Sequence, residues 1–303
     1  MATYLITGGA GFIGSHLAHY LIEKGHKVRI LDDLSAGDTN YLPDNNNITF
    51  IEGDVRKKEE VRRGFKGIDG CFHLAAVTSV DECTLHWHNA HTVNVGGAIH
   101  VFETAANQGV PVVYASSAAV YGKAGTEALT EKAEICPTNA YGIDKYSCEL
   151  QARIGKEIHG LQVTGLRFFN VYGPRQSAKS AYASAIPAFL KRLKAGEDLM
   201  VTGDGSQCRD FIFVRDVVRA LVTAMESGKH DAKVYNICTG EAMSILELAQ
   251  RLIKLTKADV EITFGPPRKG DIMYSVGDPS AAKRDLGFEA KTRPSTGLLE
   301  LLD

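Results

Sequence analysis

The sequence predicts an α/β fold, a doubly wound parallel sheet followed by a smaller C-terminal α/β part. Three observations carry this. Short apolar runs recur through the first half and alternate with stretches of helical periodicity. The first run ends in a glycine cluster that opens directly into a helical pattern. Beyond Phe169 the alternation loosens into loops rich in Gly, Pro and charge.

Taken in order, Thr3-Tyr-Leu-Ile-Thr7 reads as a strand, Gly8, Gly9, Gly11 and Gly14 as a tight turn, and Ile13, Leu17 and Leu21 as one face of a helix. Gly9-x-Gly11-x-x-Gly14 fits the dinucleotide fingerprint of a Rossmann unit. Its glycines permit the turn, close backbone approach to a pyrophosphate, and packing of helix on strand. The free N–H groups at the helix start would hold the phosphates. A second run, Val28-Arg-Ile-Leu31, ends at Asp32, roughly 20 residues beyond the last glycine, where a carboxylate accepts from ribose hydroxyls. A carboxylate there repels a ribose phosphate, so NAD is expected rather than NADP.

Further strands are predicted at Ile48–Ile51, Cys71–Leu74, Val110–Tyr114 and Leu161–Leu166, with a helix over Val95–Gln108. Ligands of such sheets gather at the carboxyl ends of the strands. Asp54 and Val55 follow the third strand, Ala75 and Ala76 the fourth, and Ser116 and Ser117 the fifth. Small residues there leave room for a flat cofactor ring. Residues 1–170 are therefore expected to form the dinucleotide-binding domain and 171–303 a smaller substrate-binding domain. The helix Arg215–Met225 and strand Val234–Ile237 are expected to return segment 214–238 to the sheet.

Composition narrows the class. The chain has 303 residues, 44% hydrophobic and 23% charged, with a formal net charge of −2. That balance offers no basic field for nucleic acid or a membrane surface. No apolar run approaches about 20 residues, and the first residues enter a strand without a signal-peptide pattern, so a cytoplasmic location is expected. The six cysteines form no Cys-x-x-Cys pair and are expected to be free thiols. His86-Trp-His-Asn-Ala-His91, with Glu82 and Cys83 before it, carries zinc-binding residue types. His86 and His88 diverge on a helix, however, and no metal is expected.

Tyr141 and Lys145 stand four residues apart, hence on one helix face. The Lys145 ammonium can then favour an ionised Tyr141 phenol, making a base of a group that ordinarily titrates near pH 10. The spacing is common by itself; downstream of the glycine loop it points to a proton-transfer group beside a dinucleotide.

With these pieces in place, the chain resembles the extended short-chain dehydrogenase/reductase family, in particular its nucleotide-sugar 4-epimerases. The resemblance rests on TGGAGFIGSH (7–16), SSAAVYG (116–122), PTNAYGIDK (137–145), RFFNVYGPRQ (167–176), GDGSQCRDFIFVRD (203–216) and RKGDIMYSVGDPS (268–280), and spans essentially the whole chain. It implies that Ser117 hydrogen-bonds the reacting hydroxyl, Tyr141 removes its proton, and Lys145 tunes Tyr141 while holding the nicotinamide ribose. NAD would contact Gly8, Gly11, Phe12, Ile13, Gly14, Asp32, Asp33, Asp54, Val55, Leu74, Ala75 and Ala76 as well as Tyr141 and Lys145. A UDP-sugar would contact Thr78, Ser117, Asn170, Arg209, Arg268, Asp271 and Ser275. Guanidinium groups suit a diphosphate and a carboxylate suits ribose hydroxyls. Arg209, followed by Asp210, would otherwise read as half of a surface ion pair.

The implied reaction is epimerisation at carbon 4 of a UDP-sugar by transient oxidation. Dehydratases of the family carry Thr-Asp-Glu where this chain has Ser117-Ala118-Ala119, which disfavours loss of water; a uronic acid substrate stays open. The chain stops at Asp303, where longer relatives continue. Small Ser275 stands where a bulky family tyrosine would narrow the pocket, so N-acetylated sugars are expected to fit. A non-catalytic NAD-binding scaffold would lack Ser117, Tyr141 or Lys145, and all three are present. The resemblance also implies a homodimer through the helices near 95–108 and 141–159, to which Phe102, Leu150, Ile154 and Ile158 could contribute an apolar face; the same residues could simply cover the sheet.

Overall fold

Six strands of the first half, β1 (Thr3–Thr7), β2 (Lys27–Asp32), β3 (Ile48–Glu52), β4 (Gly70–His73), β5 (Val112–Ser117) and β6 (Val163–Phe168), pair in the order β6-β5-β4-β1-β2-β3. The later strand Asp231–Ile237 adds beyond β6 to make seven. Every pairing is parallel. The chain winds outward from β1 to β3 and then crosses back to β4, which opens a crevice at the carboxyl ends of β1 and β4. The structure is a computed structural model and describes residues 1–123, 125, 127–177, 185–267 and 271–302.

Both sheet faces are covered, which is why the strands read as continuous apolar runs. On one face helix α1 (Phe12–Glu23) and the helix Val214–Glu226 bury Leu17, Leu21, Val217 and Leu221 against Ile30 and Phe72. On the other, the helices Gly97–Gln108 and Ala140–His159 bury Val101 and Ala152 against Leu5, Leu31 and Tyr114. A separate core holds the C-terminal part. There the parallel pair Leu199–Thr202 and Ile262–Gly265 packs with the helices Ala185–Lys194 and Ile245–Thr256 through Phe189, Val201, Leu248 and Leu252. The short strand Cys208–Arg209 lies between Met243–Ser244 and Tyr274–Ser275.

Three expectations need correction. The fifth strand begins at Val112 rather than Val110 and runs through Ser117, because Pro111 has no N–H to enter the ladder; Ser116 and Ser117 end the strand instead of following it. The helix expected over Val95–Gln108 starts as a π-helical turn, Thr92–Gly96, and becomes an α-helix only at Gly97. Phe102 is buried edge-on against Tyr114, with ring centroids 5.3 Å apart, and so belongs to the core and not to an outer apolar face. His86 separates two short helices, Val80–Leu85 and Trp87–His91. Among the described residues no helix is long and apolar enough to cross a membrane.

Candidate active site

The glycine turn sits at the head of β1. Gly8 has φ 70, and its N–H donates to the Leu31 carbonyl at 2.9 Å, which fixes the turn to β2. A Cβ on Gly14 would stand 2.2 Å from the Gly8 oxygen and 2.7 Å from the Gly9 Cα, so only glycine lets α1 start this close to the turn. Gly11 caps α1 without a side-chain hydrogen bond, leaving the first-turn N–H groups for an anion. Phe12 and Ile13 turn their side chains into the C-terminal core; toward a nucleotide they offer backbone N–H groups.

Asp32, at the end of β2, is buried. Its two oxygens accept the N–H of Ala10 and of Leu34, each at 2.9 Å. Burial pushes this carboxyl up, and those two donors hold it down. Asp32 therefore braces the glycine turn from the end of β2. Asp33 accepts from the Ser35 N–H and hydroxyl. Asp54 is gripped by the Arg56 guanidinium, with Nε to Oδ2 at 2.8 Å. Val55 is buried and its carbonyl meets the His100 ring at 3.0 Å. Past β4, Leu74 and Ala75 donate their N–H groups to Thr7, to its carbonyl and its hydroxyl; Ala76 follows half-buried and Thr78 is exposed. Cradle, acid and small strand ends fit NAD.

Ser117 ends β5 beside this crevice. Its Oγ accepts the Ala119 N–H at 3.1 Å, which leaves the hydroxyl proton free to be donated. The helix Ala140–His159 is started by Asn139, whose side chain accepts the Gly142 N–H at 2.8 Å. A Cβ on Gly142 would lie 2.5 Å from the Ala119 oxygen, so the helix start is pressed against the serine turn. Lys145 is buried, donates to the Ala115 carbonyl at 2.9 Å, and holds its Nζ 5.7 Å from the centre of the Tyr141 ring. The fold thus brings Ser117, Tyr141 and Lys145 to one strand end.

The nucleotide-end candidates also converge, with different partners from those expected. Arg209 does not form a surface pair with Asp210. Its Nη2 donates to Asp271 Oδ1 at 2.9 Å, and its Nη1 to the carbonyls of Cys208 and Ile272. The Nε–H carries no partner among the described residues, and a guanidinium N–H is a donor type that suits a phosphate. Asp210 is fully buried and accepts from Thr239, Gly240 and Gly277. Asn170 spends its N–H and one amide hydrogen on the Asp210 carbonyl. Ser275 pairs in register with Arg209, and its carbonyl accepts the Asp210 N–H at 3.0 Å. Arg268 and residues 178–184 lie outside the described residues.

Sequence reasoning missed Asn94. It lies in the π-helical turn, buried, and grips both the N–H and the carbonyl of Val77 while donating to Asp144, the neighbour of Lys145. It thereby ties the loop after β4 to the tyrosine helix. The available signal was a lone amide between two valines, Val93 and Val95.

Residues 4–238 match the NAD dependent epimerase/dehydratase family. A UDP-N-acetyl-alpha-D-glucosaminuronate decarboxylase of Bacillus cytotoxicus is 36% identical, over 88% of this chain and 84% of that protein. Among solved structures, the UDP-glucose 4-epimerase of Thermotoga maritima with UDP-glucose superposes with a TM-score of 0.94 at 36% identity, covering 99% of this chain and 97% of that one. The UDP-N-acetylglucosamine 4-epimerase of Methanobrevibacter ruminantium in complex with UDP-N-acetylmuramic acid gives 0.95 at 33% identity, with the same coverage of 99% and 97%.

Proposed function

This chain belongs to the NAD dependent epimerase/dehydratase family, and we propose that it interconverts UDP-sugars epimeric at carbon 4, using NAD that it keeps through the cycle. The observation that carries this is the meeting of Ser117, Tyr141 and Lys145 at the end of β5, beside a glycine cradle and Asp32. NAD, when bound, supplies a reversible two-electron acceptor, so that carbon 4 passes through a ketone and back.

The chain's own residues do the rest. Tyr141 takes the proton from the carbon-4 hydroxyl and later returns it. Ser117, with its own oxygen held by Ala119, donates its proton to the same sugar oxygen. Lys145, anchored on Ala115, is a fixed positive charge beneath the phenol. Arg209, through its unpartnered Nε–H, takes the diphosphate, Asp271 keeps that guanidinium in place and faces the ribose, and Asn170 offers its remaining amide hydrogen. Holding the diphosphate end lets the sugar turn over and present its other face.

Ser275 gives the pocket its proposed range. It is small and shares the Arg209 strand pair, so an N-acetyl group on carbon 2 has room; the Methanobrevibacter neighbour is a UDP-N-acetylglucosamine 4-epimerase. Incubation with UDP-glucose, UDP-GlcNAc and UDP-glucuronate separately, without added cofactor, tests the reading. Appearance of the carbon-4 epimer supports it. The Bacillus relative favours a second reading, decarboxylation of a uronate; release of carbon dioxide from UDP-glucuronate would select that instead.

A homodimer is part of the proposal. Ile143, Ile154 and Ile158 leave the tyrosine helix 52%, 42% and 68% exposed, and Trp87 lies 73% exposed, an apolar set that a second copy would cover. A monomer in sedimentation would remove this element.

A further inference from the structure

Three buried polar residues stand side by side across the carboxyl ends of three neighbouring strands. Ser116 of β5 is the register partner of Arg167 of β6, which is the partner of Asn236 in Asp231–Ile237. Onto this row the tyrosine helix lowers Glu149, also buried. Its Oε1 accepts the Ser116 hydroxyl at 2.5 Å and Arg167 Nε at 2.8 Å, and its Oε2 accepts Arg167 Nη2 at 2.7 Å. Arg167 Nη1 goes on to the Tyr121 hydroxyl at 2.8 Å, and Tyr121 donates to Asn236 Oδ1 at 2.6 Å. Asn236 in turn holds the Leu129 carbonyl and the Glu131 side chain. Leu129 exchanges backbone bonds with Val276 and Asp278, next to Ser275.

We propose that Glu149, gripped from the sheet by Ser116 and Arg167, is a positioning residue that sets the height and rotation of the helix carrying Tyr141 and Lys145 over Ser117. The inference rests on the epimerase reading above. Tyr141, Lys145 and Glu149 follow at four-residue steps along one helix face. Stability does not call for the pair, since a buried ion pair is commonly replaceable by apolar side chains without loss. Geometry does. Glu149 is about 12 Å from Tyr141 along the helix, so a tilt of about 5° about it moves the phenol by about 1 Å, enough to cost on the order of a hundredfold in rate. Ser116 adjoins Ser117, so one strand end fixes both the donor and the helix that bears the base.

Two variants test this. Ser116→Ala removes the strand's bond to Glu149 and leaves the ion pair intact; Glu149→Met/Arg167→Met replaces the pair with apolar groups of similar length. The expected result is turnover number reduced about three- to tenfold in the first and about ten- to hundredfold in the second, with KM, bound NAD and melting temperature close to wild type. Amide-exchange protection over residues 141–149 falls in parallel. Turnover within twofold of wild type in Ser116→Ala, or losses that track lost NAD or lost stability, would overturn the proposal. Should the double variant fail to fold, Ser116→Ala decides alone. Should wild type turn over none of the UDP-sugars, the function reading fails, and exchange over 141–149 carries the test: unchanged protection in Ser116→Ala rejects the positioning role.

Discussion

Asp210→Asn gives a stability prediction whose size follows from the structure. Asp210 Oδ1 accepts the Thr239 N–H at 2.8 Å and the Thr239 hydroxyl at 2.7 Å, while Oδ2 accepts the Gly240 N–H at 2.8 Å and the more distant Gly277 N–H at 3.4 Å. An amide nitrogen in place of Oδ2 would face two N–H donors. Placed at Oδ1 it faces one N–H and a hydroxyl that can rotate to accept, the cheaper arrangement. One buried N–H is then left without a partner, costing about 1–3 kcal/mol, and the remaining bonds lose their charge assistance at about 1 kcal/mol each. The sum is about 3–5 kcal/mol, or a melting temperature lower by about 6–10 °C at roughly 2 °C per kcal/mol for a chain of this size. Because Asn170 and Ser275 are bonded to the Asp210 backbone, UDP affinity should fall with it. Thermal unfolding of the NAD-loaded protein and calorimetric titration with UDP read both. Burial pushes the Asp210 carboxyl up. A melting temperature within 2 °C of wild type would show that this wins, that the group is neutral, and that the reasoning from four donors to a carboxylate is wrong.

Gly14→Ala must displace α1 from the glycine turn by on the order of 1 Å; overpacking of about 1–3 kcal/mol should weaken NAD binding about five- to hundredfold, and a purified variant with full NAD content contradicts the cradle. Ser275→Tyr should lower turnover of UDP-GlcNAc by a similar factor while sparing UDP-glucose; equal losses on both, or none, would show that Thr78 or segment 176–184 sets the pocket size. Burial pushes the His73 imidazole down to about 3, with the Lys145 charge adding to it, so the unfolded chain binds a proton from about pH 6.5 and the folded one does not. Stability carried by this site is complete above about pH 6.5 and is lost as pH falls toward 3, at up to about 1.4 kcal/mol per pH unit. Urea unfolding at pH 7, 6 and 5 should show a steeper decline for wild type than for His73→Asn, and parallel declines would rule the site out.

The sheet was legible because its signals are local. Thr3–Thr7 is bounded by a glycine turn, and each later strand by small or turn-forming residues, so period and punctuation sufficed. Segment 214–238 was equally readable as helix then strand, and that strand does pair with β6. What escaped depends on register between strands far apart in sequence. Ser116, Arg167 and Asn236 become one row only after β5, β6 and Asp231–Ile237 align, and no periodicity encodes that. A charged residue inside an apolar strand, Leu166-Arg167-Phe168, was the available hint, since a buried guanidinium requires a partner. Without the family resemblance Arg209 reads as a surface pair for the same reason: its partner Asp271 lies 62 residues away, whereas adjacent Asp210 points into the core. The π-helical turn at Asn94 follows from its bonds to Val77, again a tertiary cause.

The central claim is that Tyr141 transfers the proton at carbon 4 while NAD stays bound. Wild type and Tyr141→Phe, each purified and freed of external cofactor, are mixed with UDP-glucose and followed both by nicotinamide absorbance and by separation of UDP-galactose. Wild type is expected to form UDP-galactose with no cofactor added. Tyr141→Phe is expected to fold and retain NAD but to turn over about a hundred- to ten-thousandfold more slowly, the usual effect of removing a general base. Near-wild-type turnover by Tyr141→Phe would contradict the account.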